Sequence, residues 1–261
     1  MQFAYLSETV NIKRVSENNT EGIFEIEGLY TGYGVTIGNS LRRVLFSSLS
    51  GAAVTQFKIS GTQHQFSTIP HVVEDVVEIS LNLKKLRFRV HTDEPQTLYL
   101  KVKGEKVVTA GDIEANAEVE IINSDAYICT LTDKSAELNM ELRVERGRGF
   151  IPVEDRKSEK LPIGTIAIDA VFSPIVKANF TVENMRVGDR TDFNRLIINL
   201  TTDGSITPSA ALHKSTIILK DHFDKISAID IKELEITESP EGKEKKVAKK
   251  KTTKTTKKAK K

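Results

Sequence analysis

The sequence predicts an α+β fold that consists mainly of strands and contains two long amphipathic helices. Apolar and polar residues alternate over many short segments, which is typical of strands that bury one side and expose the other. Two segments near opposite ends of the chain instead space their apolar residues as a helix does. Because roughly 160 residues of mostly strand separate these helices, an alternating βαβ arrangement is not expected.

The alternating segments predict strands that pair mainly antiparallel, so that each sheet has one face in contact with solvent. The alternation is clearest in six segments, which are Phe24–Ile26, Thr55–Ile59, Leu86–Val90, Leu98–Val102, Leu138–Val144 and Leu196–Leu200.

The first helix is predicted between Thr36 and Ser50. Gly51 follows it and is expected to end it, because glycine readily adopts the left-handed conformation found after helices. The apolar stripe of this helix consists of Ile37, Leu41, Val44, Leu45 and Leu49. Arg42 and Arg43 lie on its polar side beside Asn39, where they suit either solvent or a partner protein.

The second helix is predicted between Pro208 and Ile226, with Thr207 as its N-cap and Pro208 at its first position. Its apolar stripe is nearly heptad-spaced, which suits packing against the protein's own sheet or against another helix. The stripe consists of Leu212, Thr216, Leu219, Phe223 and Ile226. A third segment, Pro70 to Leu83, fits a helix or a strand, because its β-branched residues favour strands.

The composition is that of an ordinary globular protein. The chain has 261 residues, of which 39% are hydrophobic and 28% are charged, enough for one large domain or two small ones. Its single cysteine, Cys129, cannot form an intrachain disulfide, which fits a reducing compartment. The N-terminal residues do not resemble a signal peptide, and no long uncharged apolar stretch follows. We therefore expect a cytoplasmic protein that does not enter a membrane.

The net charge of +2 hides a division between the two ends of the chain. Residues 243–261 contain eleven lysines and one glutamate, whereas residues 1–242 carry a net charge of −8. A segment of mostly Lys, Thr and Ala buries too little apolar surface to offset the entropy lost on ordering. We expect a disordered tail at 243–261 and a linker at 229–242. The tail suits either contact with DNA phosphates or neutralisation of the acidic body, and the lysines proposed for DNA are Lys249, Lys250, Lys251, Lys257 and Lys258.

No arrangement of residues makes a strong case for catalysis. Glycines at a helix N-terminus can bind phosphate, but Gly32, Gly34 and Gly38 match neither a dinucleotide nor a Walker motif, which favours a tight turn. His64 and His71 do not have the spacing of a metal-ligand pair. No catalytic, metal or cofactor-binding residue is assigned to this chain.

Two charged clusters also favour plain structural interpretations. Glu74, Asp75 and Glu78 suit a solvated acidic face better than a pair of catalytic carboxylates. The segment Arg146–Gly149 has the composition of an RNA-binding element, but a single copy favours a turn.

Five segments, in chain order, resemble the α subunits of bacterial RNA polymerases, and the resemblance covers roughly residues 1–228. The segments are YGVTIGNSLRRVLFSSL at Tyr33–Leu49, HQFSTIPHVVEDVVEISLNLK at His64–Lys84, ERGRGFIP at Glu145–Pro152, DAVFSPI at Asp169–Ile175 and RTDFNRLIINLTTDGSITP at Arg190–Pro208.

The resemblance implies a discontinuous dimerisation subdomain, formed by residues 1–50 and 173–228, with a mostly-β subdomain of residues 51–172 inserted into it. The two predicted helices would pack against their copies in a second subunit. The implied dimer contacts are Leu41, Leu45, Leu212, Leu219 and Phe223.

The resemblance further implies a scaffold on which the two large polymerase subunits, β and β′, assemble for DNA-templated transcription. The implied β contacts are Asn39, Arg42 and Arg43. The implied β′ contacts lie in Ser173–Phe180 and Thr191–Leu200 and include Ser173, Pro174 and Arg195. Nucleotidyl transfer and its Mg²⁺ would belong to the large subunits, so that no cofactor is expected on this chain.

Family members usually continue into a small helical DNA-binding domain, which we expect to be absent because only the Lys-rich tail follows the matched region. Two other classes of protein stay open at this point. One is a free nucleic-acid-binding protein that uses the tail as an anchor, and the other is an enzyme that binds a phosphorylated ligand at the glycine-rich turn.

Overall fold

The computed structural model describes residues 10–114, 116–156 and 162–229. In these ranges most of the chain is strand and three segments are α-helix, which confirms the α+β class. Among the described residues, those from 10 to 223 belong to one unit and residues 224–229 belong to a second. Within the described ranges no helix is long and apolar enough to cross a bilayer.

The helices are α1 (Tyr33–Ser47), α2 (Val76–Leu83) and α3 (Pro208–Ser227). Helix α3 begins at the predicted residue and ends one residue later than predicted. Helix α1 begins three residues earlier than predicted and ends three residues earlier, and Gly51 does not terminate it. The ambiguous segment contains the short helix α2, which Asp75 caps by accepting the N–H of Glu78 at 2.7 Å.

The strands pair antiparallel throughout the described residues, as the alternating pattern predicts. They are β1 (Asn11–Glu17), β2 (Glu21–Leu29), β3 (Ser50–Ile59), β4 (Phe88–Val90), β5 (Gln96–Lys103), β6 (Lys106–Thr109), β7 (Ile113–Glu114), β8 (Val119–Ile121), β9 (Tyr127–Leu131), β10 (Glu137–Arg148), β11 (Phe150–Ile151), β12 (Thr165–Ala167), β13 (Ala170–Val171), β14 (Ile175–Val187) and β15 (Arg190–Thr202).

A four-stranded sheet joins the two ends of the described chain. Its order is β1-β2-β15-β14, so that strands distant in sequence lie side by side. Helix α1 packs on β14 and β15, and Leu41 and Leu45 enter the core between them. The remaining buried apolar residues of this core come from β2, β14, β15, the start of α3 and Leu49.

A seven-stranded sheet lies in the middle of the chain. Strands β7, β5, β10, β3, β4 and β8 follow one another across it, and β12 pairs with β3. Alternate residues of β5 and β10 are buried, which confirms the period of two seen in the sequence. Helix α2 contributes Val76, Ile79 and Leu83 to the same core, so that this sheet is covered by residues from its own part of the chain.

Gly51 serves strand packing rather than helix termination. It lies in β3 opposite Gly147 of β10. A Cβ on Gly51 would overlap the carbonyl oxygen of Phe172, and a Cβ on Gly147 would approach the Phe172 ring to 2.7 Å. The absence of both side chains lets Phe172 pack directly on the sheet, where it forms a small core with Ala53 and Ala170.

Candidate functional site

Helix α1 follows a tight turn and lies close against the four-stranded sheet. Gly32 has a φ of 85°, the left-handed conformation that glycine adopts at little cost, and the helix begins at the next residue. A Cβ on Gly34 would approach Val182 to 2.8 Å, and a Cβ on Gly38 would approach the ring of Phe180 to 2.7 Å. These glycines therefore allow the close approach that decides which side of α1 faces solvent.

The first backbone amides of α1 are paired with a side chain from β15. The N–H groups of Gly32 and Gly34 donate to Oδ1 of Asn194 at N–O distances of 2.8 and 3.4 Å. A phosphate at this turn would need the same donors. Because the chain itself pairs them, the structure favours the tight-turn interpretation over a phosphate site.

The outward side of α1 carries the three residues predicted to contact β. Asn39, Arg42 and Arg43 are all exposed, and within the described part of the chain neither arginine has an ion-pair partner. A guanidinium presents five N–H donors in a planar fork that fits carboxylate and backbone oxygens. The structure therefore brings these residues together on one solvent-facing surface, and their contact with β stays a prediction.

Arg195, predicted to contact β′, is held by carboxylates of its own chain. Its nitrogen atoms lie 3.0 Å from Glu25, 3.2 Å from Glu27 and 3.8 Å from Glu183. The pKa of Glu27 is lowered, chiefly by a hydrogen bond from Lys13 and to a lesser degree by Arg195. Arg195 is therefore paired within a cluster in which carboxylates outnumber cations, so that it does not present an unpaired cation to a partner.

Ser173 and Pro174, the other residues predicted to contact β′, lead into β14. The Ser173 hydroxyl is half-buried and accepts the N–H of Ile175 at 3.3 Å. Pro174 is buried, and its carbonyl accepts the N–H of Asp203 at 3.0 Å. Both residues shape the backbone at this edge, and Ser173 offers more surface to a partner than Pro174 does.

The residues predicted to form the dimer contact fall into two groups. Leu41 and Leu45 are 5% and 0% exposed, so that they gain almost no burial from a second chain. Their assignment as direct dimer contacts finds no support in the structure, because they form the core behind α1. On α3, Leu212 and Leu219 are half-buried and Phe223 is 62% exposed, which leaves apolar surface for a partner to cover.

Glu74 does not belong to a solvated acidic face, and that interpretation is wrong for this residue. Its carboxylate is buried, accepts the hydroxyl of Tyr127 and accepts the N–H of Thr130 at 2.8 Å. Burial, together with this hydrogen bond to Glu74, raises the pKa of Tyr127. Burial also raises the pKa of the Cys129 thiol to about 12, so that this cysteine is protonated and unreactive at neutral pH.

The remaining motifs also have structural roles. Among the described residues no cluster of three or more His, Cys, Asp or Glu side chains could hold a metal ion. Nδ1 of His64 lies 3.1 Å from the hydroxyl of Ser67. Arg146 lies in β10 and pairs with Asp93 at 2.6 Å, so that only the end of its segment, at Gly149, forms the predicted turn.

The tail and most of the linker lie outside the described residues. The structure therefore describes none of the lysines proposed to contact DNA, which are Lys249, Lys250, Lys251, Lys257 and Lys258.

Comparison with known proteins gives a consistent result. Residues 57–173 match the family model of the RNA polymerase Rpb3/RpoA insert domain. The chain is 50% identical to the DNA-directed RNA polymerase subunit alpha of Alkaliphilus oremlandii, over 82% of this chain and 68% of that protein. It is 47% identical to the protein of the same name from Symbiobacterium thermophilum, over 86% and 71% of the two chains. For the protein of that name from Alkaliphilus metalliredigens the identity is 46%, over 87% and 72%.

Proposed function

The chain belongs to the bacterial RNA polymerase α-subunit family, and on that premise we propose that it is a homodimeric scaffold for assembly of the polymerase. Its task is to bring together the two large subunits, β and β′, for DNA-templated transcription. The observation that carries this proposal is the surface of α1, where two exposed arginines project from a helix packed closely on a sheet.

The proposed subdomains are a dimerisation subdomain of residues 1–50 and 173–228 and an inserted subdomain of residues 51–172. Two features support this division. The four-stranded sheet takes its strands from the two ends of the described chain, and the seven-stranded sheet takes its strands from the middle. Each sheet also has its own cluster of buried apolar residues.

The proposed interface with β consists of Asn39, Arg42 and Arg43. Its support is the exposure of all three side chains and the unpaired charge of the two arginines within the described residues. The proposed interface with β′ lies around Ser173 and the Arg195 cluster, at strands β14 and β15. Both interfaces would thus be built on one sheet and the helix packed against it.

The proposed dimer contact centres on α3. Leu212, Leu219 and Phe223 retain exposed apolar surface that a second copy would bury. Catalysis and its Mg²⁺ would be supplied by the large subunits, because this chain acts as their scaffold. The proposed location is the cytoplasm, and the lysines at 249–251, 257 and 258 would add sequence-independent contacts to DNA phosphates.

The experiment that tests the assembly role is capture of β by purified chain, in the presence and absence of β′. Truncating one partner of a buried, hydrogen-bonded charge pair typically costs about 2–5 kcal/mol. We therefore expect Arg43→Ala to weaken capture of β by at least about tenfold while the dimer remains intact. Arg148→Ala removes the same charge from an exposed position on β10 and should leave capture unchanged. Equal capture of β by Arg43→Ala and the unaltered chain would contradict the proposal.

A further inference from the structure

Helix α1 has no cap from its own neighbouring residues. The N-cap position is occupied by Gly32, which has no side chain, and the first turn contains no acidic residue. The first N–H groups of a helix have no partner inside the helix and are usually paired by the N-cap side chain. At α1 this pairing has to come from another part of the fold.

Asn194 supplies it from strand β15, about 160 residues further along the chain. Its Oδ1 accepts both Gly32 N–H, at 2.8 Å, and Gly34 N–H, at 3.4 Å. The N–H of Tyr33, between them, donates to the carbonyl of Tyr30 at 3.0 Å. The start of the helix is therefore paired almost completely, and the side chain of Asn194 is central to that pairing.

The amide of Asn194 is buried and also contacts a third element. The residue is 6% exposed, and its Nδ2 donates to Oδ1 of Asn184 on β14 at 3.3 Å. One side chain thus joins α1, β14 and β15. A buried acceptor that is removed leaves its donors unpaired, which is more costly than losing the hydrogen bond alone.

We propose that Asn194 is a positioning residue: it caps α1 from the neighbouring strand and thereby fixes the orientation of the surface that carries Arg42 and Arg43. The inference rests on the proposed contact of that surface with β. It adds a residue that does not touch β and that acts only through the helix.

The geometry explains why a cap at one end affects contacts further along. Arg42 and Arg43 follow Gly34 by eight and nine residues, which is about 12–14 Å along a helix. The Cβ of Asn194 lies under Gly34, where a methyl group would approach it to 3.1 Å. If these amides lose their acceptor, the start of α1 is held less firmly against β15. The orientation of Arg42 and Arg43 at the other end of the helix then varies.

The test compares three substitutions in the full chain. Asn194→Leu keeps the approximate size of the side chain and removes the acceptor. Asn194→Asp keeps the acceptor, and its charge suits a helix N-terminus. Asn194→Ala replaces the leucine variant if that variant does not fold.

Two quantities are measured for each variant: amide hydrogen exchange across residues 32–36 and capture of β. For Asn194→Leu we expect exchange in this segment to be about tenfold faster, because the part-buried N–H of Gly32 and the buried N–H of Gly34 lose their acceptor, and capture of β to fall severalfold. For Asn194→Asp we expect both quantities to stay within about twofold of the unaltered chain. Because leucine and aspartate both keep the approximate size of asparagine, a loss with leucine that aspartate does not share indicates the acceptor rather than the shape of the side chain.

Two control variants separate positioning from general stability and from the proposed function. Leu100→Ala removes a fully buried side chain from β5 of the seven-stranded sheet, and it should lower the melting temperature without the loss of β capture. The positioning role is overturned if exchange in Asn194→Leu is unchanged, if aspartate fails to rescue, or if Leu100→Ala loses as much capture. Normal capture by Arg43→Ala would instead overturn the proposed function, whatever the exchange data show.

Discussion

In the middle region of the chain, the seven-stranded sheet and α2 bury their apolar faces against each other. In the region built from the two ends, the apolar stripe of α1 is similarly buried, but the stripe of α3 leaves Phe223 62% and Ile226 60% exposed. The middle region also leaves large apolar side chains exposed, such as Phe66 at 76% and Ile163 at 94%, so exposure alone does not identify an interface. The difference is that the exposed residues of α3 adjoin half-buried Leu212 and Leu219 on one long helix. We infer that the middle region is complete in one chain and that the other region is completed by a second chain.

The largest expected effect tests whether α1 is part of the buried core of the four-stranded sheet. Leu45 is fully buried, so Leu45→Ala should lower the free energy of unfolding by about 2–5 kcal/mol. Leu219→Ala, at a half-buried position of α3, should cost clearly less within one chain. Chemical denaturation at a fixed protein concentration measures both values. A smaller loss of unfolding free energy for Leu45→Ala than for Leu219→Ala would contradict the conclusion that α1 is buried more deeply than α3.

The sequence predicted the elements with the clearest hydrophobic periodicity, because that periodicity is a local signal, but it did not single out others, such as the 13-residue strand β14. The alternation in β5 and β10 and the stripe of α1 appear directly as buried residues. The role of Gly51 could not be predicted in this way. Glycine after a helical stripe resembles a terminator, whereas the constraint on Gly51 is the backbone of Phe172, more than a hundred residues away.

The roles of Glu74 and Asn194, which the sequence did not predict, depend in the same way on residues distant in the chain. Glu74 is buried because Tyr127 and Thr130 are opposite it, and Asn194 matters because the amides of Gly32 and Gly34 lie above it. Such partners are brought together only by the pairing of strands distant in sequence. From residue type alone, Glu74 would be expected to be a solvated carboxylate and Asn194 an ordinary polar residue of a strand.

An effect of intermediate size concerns the contacts of Asp169 in the middle region, and it depends on pH. Asp169 accepts the N–H of Val153 at 3.0 Å and pairs with Lys84 at 2.9 Å. These contacts, the first of them most strongly, lower the pKa of Asp169 from its ordinary value of 3.8. The stability it contributes is therefore present above pH 3.8 and is lost as the pH falls through the lowered pKa.

Asp169→Asn tests this contribution. The variant should be less stable than the unaltered chain at pH 7 by at most about 1 kcal/mol, because the ion pair is partly exposed. The difference should shrink as the pH is lowered below 3.8. Thermal unfolding across this pH range measures it, and a difference that stays constant with pH would show that Asp169 acts through packing alone.

The smallest effect concerns His71, also in the middle region. Its φ of 63° lies in the left-handed region, which a non-glycine residue adopts only at some cost. His71→Gly relieves this strain and keeps the backbone carbonyl that accepts from Thr132. The gain is reduced by the greater freedom of glycine in the unfolded chain, so that we expect about 0.5 kcal/mol of added stability. A loss of stability would mean that the imidazole itself stabilises the loop, for example by its contact with the Asp133 carboxylate.

The most direct test of the account is sedimentation of two matched variants, Phe223→Glu and Phe66→Glu. Both place a carboxylate at an exposed apolar position, so that neither should unfold the single chain. If a second copy covers α3, Phe223→Glu buries an unpaired charge at the interface and should sediment as a monomer with unchanged circular dichroism. Phe66→Glu should sediment as a dimer, as the unaltered chain should. A dimer for Phe223→Glu at the same concentration would contradict the claim that the second chain completes this region.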